Sequence, residues 1–142
     1  MRQLFHTYGL FFAWIIALCA MLSTLFFSEI LQWPVCPLCW YQRLSLYPLV
    51  ILLGMAAYKN DRAIIPYALP FPLIGLFFSV YQYLEQMIPG FAPIDFCSAG
   101  STSCSIIHLK LLGFVTIPFL SAIACAMIFL LLIAARESIG DQ

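Results

Sequence analysis

Charged side chains are scarce in this chain of 142 residues. Lysine, arginine, aspartate and glutamate together make up 8% of the chain, the net charge is zero, and 64% of the residues are hydrophobic. A soluble domain of this length could not bury that much apolar surface, so the composition indicates an integral membrane protein. The lack of a basic excess also removes the usual electrostatic basis for binding nucleic acid, so we expect no nucleic-acid partner.

The sequence also lacks a separate polar domain and an internal repeat, so we predict a single membrane domain over residues 1–142. About 20 apolar residues cross the hydrocarbon core as one helix, and four such runs predict an all-α, polytopic bundle of four transmembrane helices. No cleavage site of small residues follows the first run, which favours a retained span over a signal peptide. The predicted spans are residues 10–30, 38–58, 63–84 and 111–135.

Prolines fall within three of the four runs. A proline inside a helix removes a backbone hydrogen bond and bends or breaks the helix. Pro48 and Pro118 therefore predict kinks in the second and fourth spans. Pro66, Pro70 and Pro72 lie close together and predict an irregular first half of the third span.

Two of the six cysteines form a Cys-x-x-Cys pair, Cys36 and Cys39, where the second run begins. Proline is favoured at the first helical position, so Pro37 predicts a helix that is capped by Cys36 and has Cys39 in its first turn. Arg43 follows Cys39 by four residues and lies on the same helix face, one turn deeper. A guanidinium and a helix start both favour a thiolate, the reactive form of cysteine. The helix start alone would make Cys36 an equally good thiolate, whereas the spacing of Arg43 favours Cys39.

A second pair, Cys97 and Cys104, lies in the long loop that we predict over residues 86–110. A disulfide that closes so short a ring restricts the unfolded chain only modestly, so we expect exchange chemistry rather than a structural clip. The remaining two, Cys19 and Cys125, fall within spans, where we expect small apolar residues packed between helices.

Basic residues predict the orientation of the spans. Arg2, Lys59, Arg62 and Arg136 fall on one side, so the positive-inside rule predicts that both termini are cytoplasmic. Both cysteine pairs then face outward, on the oxidising side of a cell membrane.

Two outward pairs suggest an electron relay, because thiol–disulfide exchange passes electrons from one pair to the next. A pair in a long loop can reach a soluble partner, and a pair at a helix end can face the lipid. Electrons would enter at Cys97 and Cys104, pass to Cys36 and Cys39, and leave to an apolar two-electron acceptor, a requirement that a quinone meets. Gln82, near the outer end of the third span, is a candidate ligand for that acceptor, although a hydrogen bond between helices explains it equally well.

The sequence resembles the bacterial disulfide bond formation protein B (DsbB) family. The resemblance lies in Cys-Pro-Leu-Cys-Trp-Tyr-Gln-Arg at residues 36–43, in the four spans and in the loop pair of cysteines. Three further features are similar to its BdbC-like branch. They are the short loop between Cys97 and Cys104, the Tyr-Pro at residues 47–48 that follows the Cys-x-x-Cys run, and Leu-Gly-Phe-Val-Thr-Ile-Pro at residues 112–118.

The resemblance implies a multi-pass enzyme of the bacterial cytoplasmic (inner) membrane, a quinone-dependent thiol–disulfide oxidoreductase that supports oxidative protein folding. Such proteins reoxidise a soluble thioredoxin-fold disulfide donor (DsbA- or BdbD-like) and pass its electrons to ubiquinone or menaquinone. By resemblance, Cys97 forms the mixed disulfide with the donor and Cys104 exchanges with Cys36. Cys39 is the thiolate beside the quinone, and Arg43 polarises the quinone.

The chain departs from the family pattern at one position, because relatives often carry a histidine near the outer end of the third span. Here the position is Gln82, which can donate a hydrogen bond but cannot shuttle a proton at neutral pH. Two alternatives stay open: a vitamin-K-epoxide-reductase-like enzyme, and a structural membrane protein with two inert disulfides. We predict no metal site, because Cys97 and Cys104 are spaced too loosely for a four-cysteine zinc knuckle.

Overall fold

The computed structural model describes residues 2–33, 36–88 and 112–140, and it describes the side chains of the terminal helices only between Tyr8 and Glu137. Cys97, Cys104 and the rest of the loop in which we predicted the relay to begin lie outside the described residues. The described chain forms α1 (Arg2–Leu25) with a π-helical turn (Phe26–Ile30), α2 (Pro37–Lys59), a 3-10 turn (Arg62–Ile64), α3 (Ile65–Ala68), α4 (Pro70–Met87) and α5 (Ile117–Gly140).

Within the described ranges, four helical stretches are long and apolar enough to cross a membrane, which confirms the predicted bundle of four transmembrane helices. They are Tyr8–Ile30, Pro37–Lys59, Arg62–Met87 and Ile117–Glu137. The irregular start of the third stretch is also confirmed, because a 3-10 turn and the four-residue helix α3 precede α4. Pro48 lies inside α2 without ending it.

The fourth helix begins at Ile117 and not near Leu111, so the predicted start of that span is wrong. Leu112 and Gly113 adopt positive φ angles of 55° and 87°, which a continuing helix cannot accommodate. Pro118 consequently lies in the first helical turn, where no preceding turn is present for its ring to disturb. The kink that we predicted at Pro118 therefore has no basis.

The four long helices pack in a ring, with α1 against α2 and α5, and α4 against α2 and α5. One end of this ring is filled by aliphatic side chains from α1, α2, α3 and α5. Its fully buried members include Ala13, Ala17, Leu49, Leu53, Ile128 and Leu132.

The two cysteines within the spans have different surroundings. Cys125 is buried in the core, as predicted, whereas Cys19 is exposed on the surface of α1, so its predicted packing between helices is wrong. Cys125 lies where α4 comes close to its neighbours at Gly75. A Cβ atom at Gly75 would lie 2.9 Å from Ser45 Oγ and 3.0 Å from Cys125 Sγ.

Candidate redox site at the start of the second helix

Cys36 and Cys39 occupy the start of α2, where the local sequence determines their geometry. Cys36 is extended, with φ −74° and ψ 159°, and Pro37 follows it in the first helical turn, as predicted. The Cys36 carbonyl accepts a hydrogen bond from the backbone N–H of Trp40 at 3.3 Å. The first turn brings the two sulfurs within 3.0 Å of each other as free thiols that share a hydrogen bond.

Gln82 of α4 reaches both sulfurs with one side-chain amide. Its Nε2 donates to Cys36 Sγ and to Cys39 Sγ, each at 3.3 Å, and the residue is only 3% exposed. The Cys39 thiol lies farther from the amide oxygen of Gln82, at 3.7 Å. Because an N–H donor stabilises a thiolate, the Gln82 amide favours ionisation of the pair.

Gln42 of α2 completes this network and was missed by the sequence reasoning. Its Nε2 donates to Gln82 Oε1 at 2.7 Å, and both residues are buried. The signal was present in the spacing, because Gln42 follows Cys39 by three residues and such residues share a helix face. Two glutamines and two cysteines thus form one hydrogen-bonded group between α2 and α4.

Arg43 is buried one turn below the cysteines, with 7% of its surface exposed. Its Nη2 donates to the backbone carbonyl of Thr24 in α1 at 2.6 Å, and its guanidinium carbon lies 5.7 Å from the centre of the Trp40 ring. Thr24 stands just before the π-helical turn Phe26–Ile30, a kind of turn that is frequent at functional sites. Among the hydrogen bonds of the described residues, Arg43 is tied to α1 and not to either sulfur.

The environment treats the two thiols differently. Cys36 is buried and precedes the membrane-spanning part of α2, and Cys39 is only half-buried. The hydrogen bond to Cys39, together with burial, raises the pKa of the Cys36 thiol. The sulfur–sulfur contact itself allows either thiol to be the donor.

Aromatic and aliphatic side chains surround the polar group. Leu38, Tyr81 and Phe78 pack around the two cysteines, and Tyr41 stacks on Phe78 with ring centres 5.2 Å apart. Trp40, beside Cys39, is exposed on the surface of the bundle. The half-buried Cys39 therefore lies in an apolar part of the bundle, next in the chain to an exposed aromatic residue.

The structure brings together three of the predicted site residues, Cys36, Cys39 and Gln82, and places Arg43 one helical turn away. The other two predicted residues, Cys97 and Cys104, lie outside the part of the chain that the structure describes. A buried dithiol hydrogen-bonded to amide donors, in a helical membrane bundle, is an arrangement suited to thiol–disulfide chemistry.

Comparison with known proteins agrees with this chemistry. The family model described as "Disulfide bond formation protein DsbB" matches residues 6–135, and the chain belongs to that family, which confirms the resemblance. The chain is 52% identical over 140 residues to the "Probable disulfide formation protein" of Coxiella burnetii (strain RSA 493 / Nine Mile phase I), covering 99% of this chain and 95% of the relative. No solved structure matches the chain.

Two further relatives carry related names. The "Disulfide bond formation protein C" of Bacillus subtilis (strain 168) is 46% identical over 131 residues, covering 91% of this chain and 94% of the relative. The "Probable disulfide formation protein" of Chlamydia muridarum (strain MoPn / Nigg) is 44% identical over 138 residues, covering 97% and 99%. Proteins of the DsbB family are oxidoreductases, so this chain is a membrane oxidoreductase that supports disulfide-bond formation.

Proposed function

We propose that the protein oxidises a soluble thioredoxin-fold thiol donor (DsbA- or BdbD-like) and passes two electrons to ubiquinone or menaquinone. The electrons move from the donor to Cys97 and Cys104, then to Cys36 and Cys39. The net reaction converts a donor dithiol and a quinone into a donor disulfide and a quinol, so electrons and protons balance. Membership of the DsbB family favours this function over epoxide reduction or an inert structural role.

The observation that carries the proposal is the dithiol at the start of α2. Its sulfurs lie 3.0 Å apart, about 1 Å longer than the roughly 2.05 Å of a disulfide bond, so little movement separates the reduced from the oxidised pair. Gln82 donates to both sulfurs and supports the negative charge that nucleophilic attack requires. A disulfide that only stabilised the fold would need no such donors.

The residues around Cys39 fit a quinone. A bound quinone accepts two electrons and two protons, and it is apolar enough to reach the protein from the lipid. Cys39 is the more exposed residue of the pair and is followed in the chain by the exposed Trp40, while Arg43 supplies a positive charge whose hydrogen-bond partner, among the described residues, is the neutral Thr24 carbonyl. We propose that Cys39 contacts the quinone and that Arg43 polarises it.

The role that we predicted for Gln82 as a quinone ligand stays a prediction. Its amide donates to the two sulfurs and accepts from Gln42, so its hydrogen-bonding capacity is directed toward the thiols. A quinone that contacts Gln82 would share one of these hydrogen bonds. This arrangement supports a role for Gln82 in stabilising the two sulfurs during electron transfer.

We further propose that the protein lies in the bacterial cytoplasmic (inner) membrane with both termini in the cytoplasm. Lys59 and Arg62 flank the connection between α2 and α3, at the opposite end of α2 from the cysteines, and the positive-inside rule assigns that connection to the cytoplasm. The cysteine pair at the other end of α2 then faces outward. An outward position gives the relay access to secreted, thiol-bearing proteins.

The test is donor-dependent quinone reduction by the purified protein. A reduced thioredoxin-fold donor and a soluble quinone analogue are mixed with the full chain in detergent, and quinone absorbance is followed. Cys39→Ala and Cys97→Ala each remove a sulfur that the relay requires, so both are expected to reduce turnover to the background rate. Cys19→Ala serves as the matched control, because Cys19 is exposed on α1 and has no part in the relay.

Full turnover by the Cys39→Ala and Cys97→Ala variants would refute the relay. Turnover of an epoxide substrate with no donor-dependent quinone reduction would instead favour the epoxide-reductase alternative. Disulfides that resist mild reductant in the wild-type protein, without any turnover, would favour an inert structural role.

A further inference from the structure

We propose that Gln42 is a positioning residue that controls which end of the Gln82 amide faces the two sulfurs. By accepting from Gln42, the oxygen of Gln82 is held toward Gln42, with only a long contact to Cys39, and the amide nitrogen is held toward both sulfurs. The Gln42–Gln82 pair would thus set how readily the dithiol forms a thiolate. The inference deepens the function proposed above and rests on it for its biological meaning.

The argument begins with the shape of a glutamine side chain. The two ends of its amide are nearly the same size, so hydrogen-bond partners decide which end points where. Around Gln82, one end lies 2.7 Å from Gln42 Nε2 and the other lies 3.3 Å from each sulfur. Rotating the amide by half a turn would place the Gln82 nitrogen against the Gln42 nitrogen, donor against donor, in a buried site where unmatched polar groups are strongly unfavourable.

The direction of the amide matters to the sulfurs because thiol and thiolate need opposite partners. A thiolate accepts hydrogen bonds, so the two N–H groups of Gln82 Nε2 stabilise it. A carbonyl oxygen in the same place would accept from a thiol and favour the protonated form. Gln82 Nε2 donates to each sulfur at 3.3 Å, whereas the Cys39 thiol donates to Gln82 Oε1 over a longer distance, 3.7 Å. Loss of the Gln42 donor would allow both orientations.

Gln42 can exert this control because it belongs to the same helix as the cysteines. Gln42 and Cys39 are three residues apart on α2, so they share a face and present one surface to Gln82 on α4. Gln42 has no hydrogen bond to either sulfur among those of the described residues, so its effect on the pair must pass through Gln82. This indirect action is what the experiment can isolate.

The test measures how the reactivity of Cys39 depends on pH in the fully reduced, full-length protein, without donor or quinone. Brief alkylation at a series of pH values, followed by peptide mass spectrometry, reports each cysteine separately. Gln42→Met keeps the side-chain length but removes the donor, so Cys39 is expected to become half-reactive at a pH about one higher. Gln82→Met removes the N–H donors themselves and is expected to raise the pH at which Cys39 is half-reactive by at least as much.

The double variant Gln42→Met/Gln82→Met gives the decisive result. If Gln42 acts only through Gln82, the double variant matches Gln82→Met alone, because the second change has nothing left to disturb. Additive shifts, or no shift for Gln42→Met, would overturn the proposal. A purely structural role for Gln42 would reduce stability without this dependence on Gln82. Leu46→Met, a buried residue one turn farther along α2, is the matched control and is expected to cause no shift.

The outcome is separable from that of the turnover assay. If donor-dependent quinone reduction fails while the non-additive pattern holds, the positioning role stands and the proposed function falls. If turnover succeeds while the shifts are additive, only the positioning role falls. Gln42→Asn is a second variant for use if Gln42→Met fails to fold. Its side chain is one methylene shorter, so its donor lies farther from Gln82, and the pH at which Cys39 is half-reactive is expected to shift in the same direction.

Discussion

The two ends of the helical bundle are built from the same helices by different means. At the end that contains Leu53 and Ile128, called the aliphatic end, most buried side chains are aliphatic. At the end that carries the dithiol, the buried positions include Gln42, Arg43 and Gln82, and hydrogen bonds connect α2 to α4 and to α1. The aliphatic end holds the helices together by packing, and the dithiol end holds specific atoms in specific directions.

This difference shows where the bundle can tolerate change. In lipid, helices associate through close packing and through polar contacts between them, because the surrounding chains are as apolar as the core. Packing tolerates exchange of one apolar shape for another of similar volume. A hydrogen-bonded group of amides and thiols does not, because each atom has a directional partner. We therefore expect substitutions at the aliphatic end to change stability, and substitutions at the dithiol end to change chemistry.

The largest expected effect on stability comes from Leu53→Ala at the aliphatic end. Leu53 is 0% exposed, so the cavity left behind is expected to lower the free energy of unfolding by about 2–5 kcal/mol. Leu44→Ala is the control, because Leu44 lies on the same helix and is 68% exposed. Denaturation in detergent, with turnover measured on the folded fraction, checks the prediction. Full stability but lost turnover for Leu53→Ala would contradict the division between the two ends.

Next in size is the effect of Arg43→Gln at the dithiol end. The neutral side chain loses the positive charge beside Cys39, so turnover is expected to fall about tenfold or more, with a higher KM for the quinone. Arg43→Lys keeps the positive charge but not the planar, forked guanidinium. Its turnover is therefore expected to lie between those of the wild-type protein and Arg43→Gln. Arg136→Gln, exposed near the end of α5, is the control. Unchanged kinetics for Arg43→Gln would reduce Arg43 to a tie between α1 and α2.

The smaller of the two expected effects on stability lies midway between the two ends, at Gly75→Ala. The added Cβ would meet Ser45 Oγ and Cys125 Sγ at about 3 Å, so a loss of about 1–3 kcal/mol in the free energy of unfolding is expected. Cys125→Ala in the same chain removes one of these contacts and is expected to restore part of the loss. Gly9→Ala, with no atom within 4 Å of the added Cβ, is the control. Equal stability of the Gly75→Ala and Gly9→Ala variants would contradict the close approach at Gly75.

Local rules were sufficient for much of the architecture. The cap at Cys36, the helix start at Pro37 and the broken start of the third span all follow from proline and from helix-end preferences, which act within a few residues. Spans could be counted because apolar runs of this length have few other structural outcomes. The start of the fourth span was misjudged because residues 111–116 are as apolar as the helix that follows. The turn at Leu112 and Gly113 depends on backbone angles, which hydropathy does not register.

The site was only half accessible to sequence reasoning. Helical spacing correctly placed Arg43 one turn from Cys39, but it could not reveal that Thr24, in another helix, accepts from its guanidinium. Gln82 was identified as a buried polar group, but its partners lie 40 or more positions earlier in the chain, on α2. Spacing placed Gln42 on the same helix face as Cys39, but its hydrogen bond to Gln82 depends on how α2 and α4 pack, which spacing does not show.

The π-helical turn Phe26–Ile30 has a consequence for how α1 can vary in length. Such a turn holds one residue more than an ordinary helical turn, and each residue of an α-helix advances about 100° around the axis. Removing a single residue there converts the wide turn to a regular α-helical turn, so the side chains on either side keep their faces. A one-residue deletion is therefore expected to be tolerated better within Phe26–Ile30 than in the regular helix before Thr24, where it would rotate the side chains beyond it by about 100°.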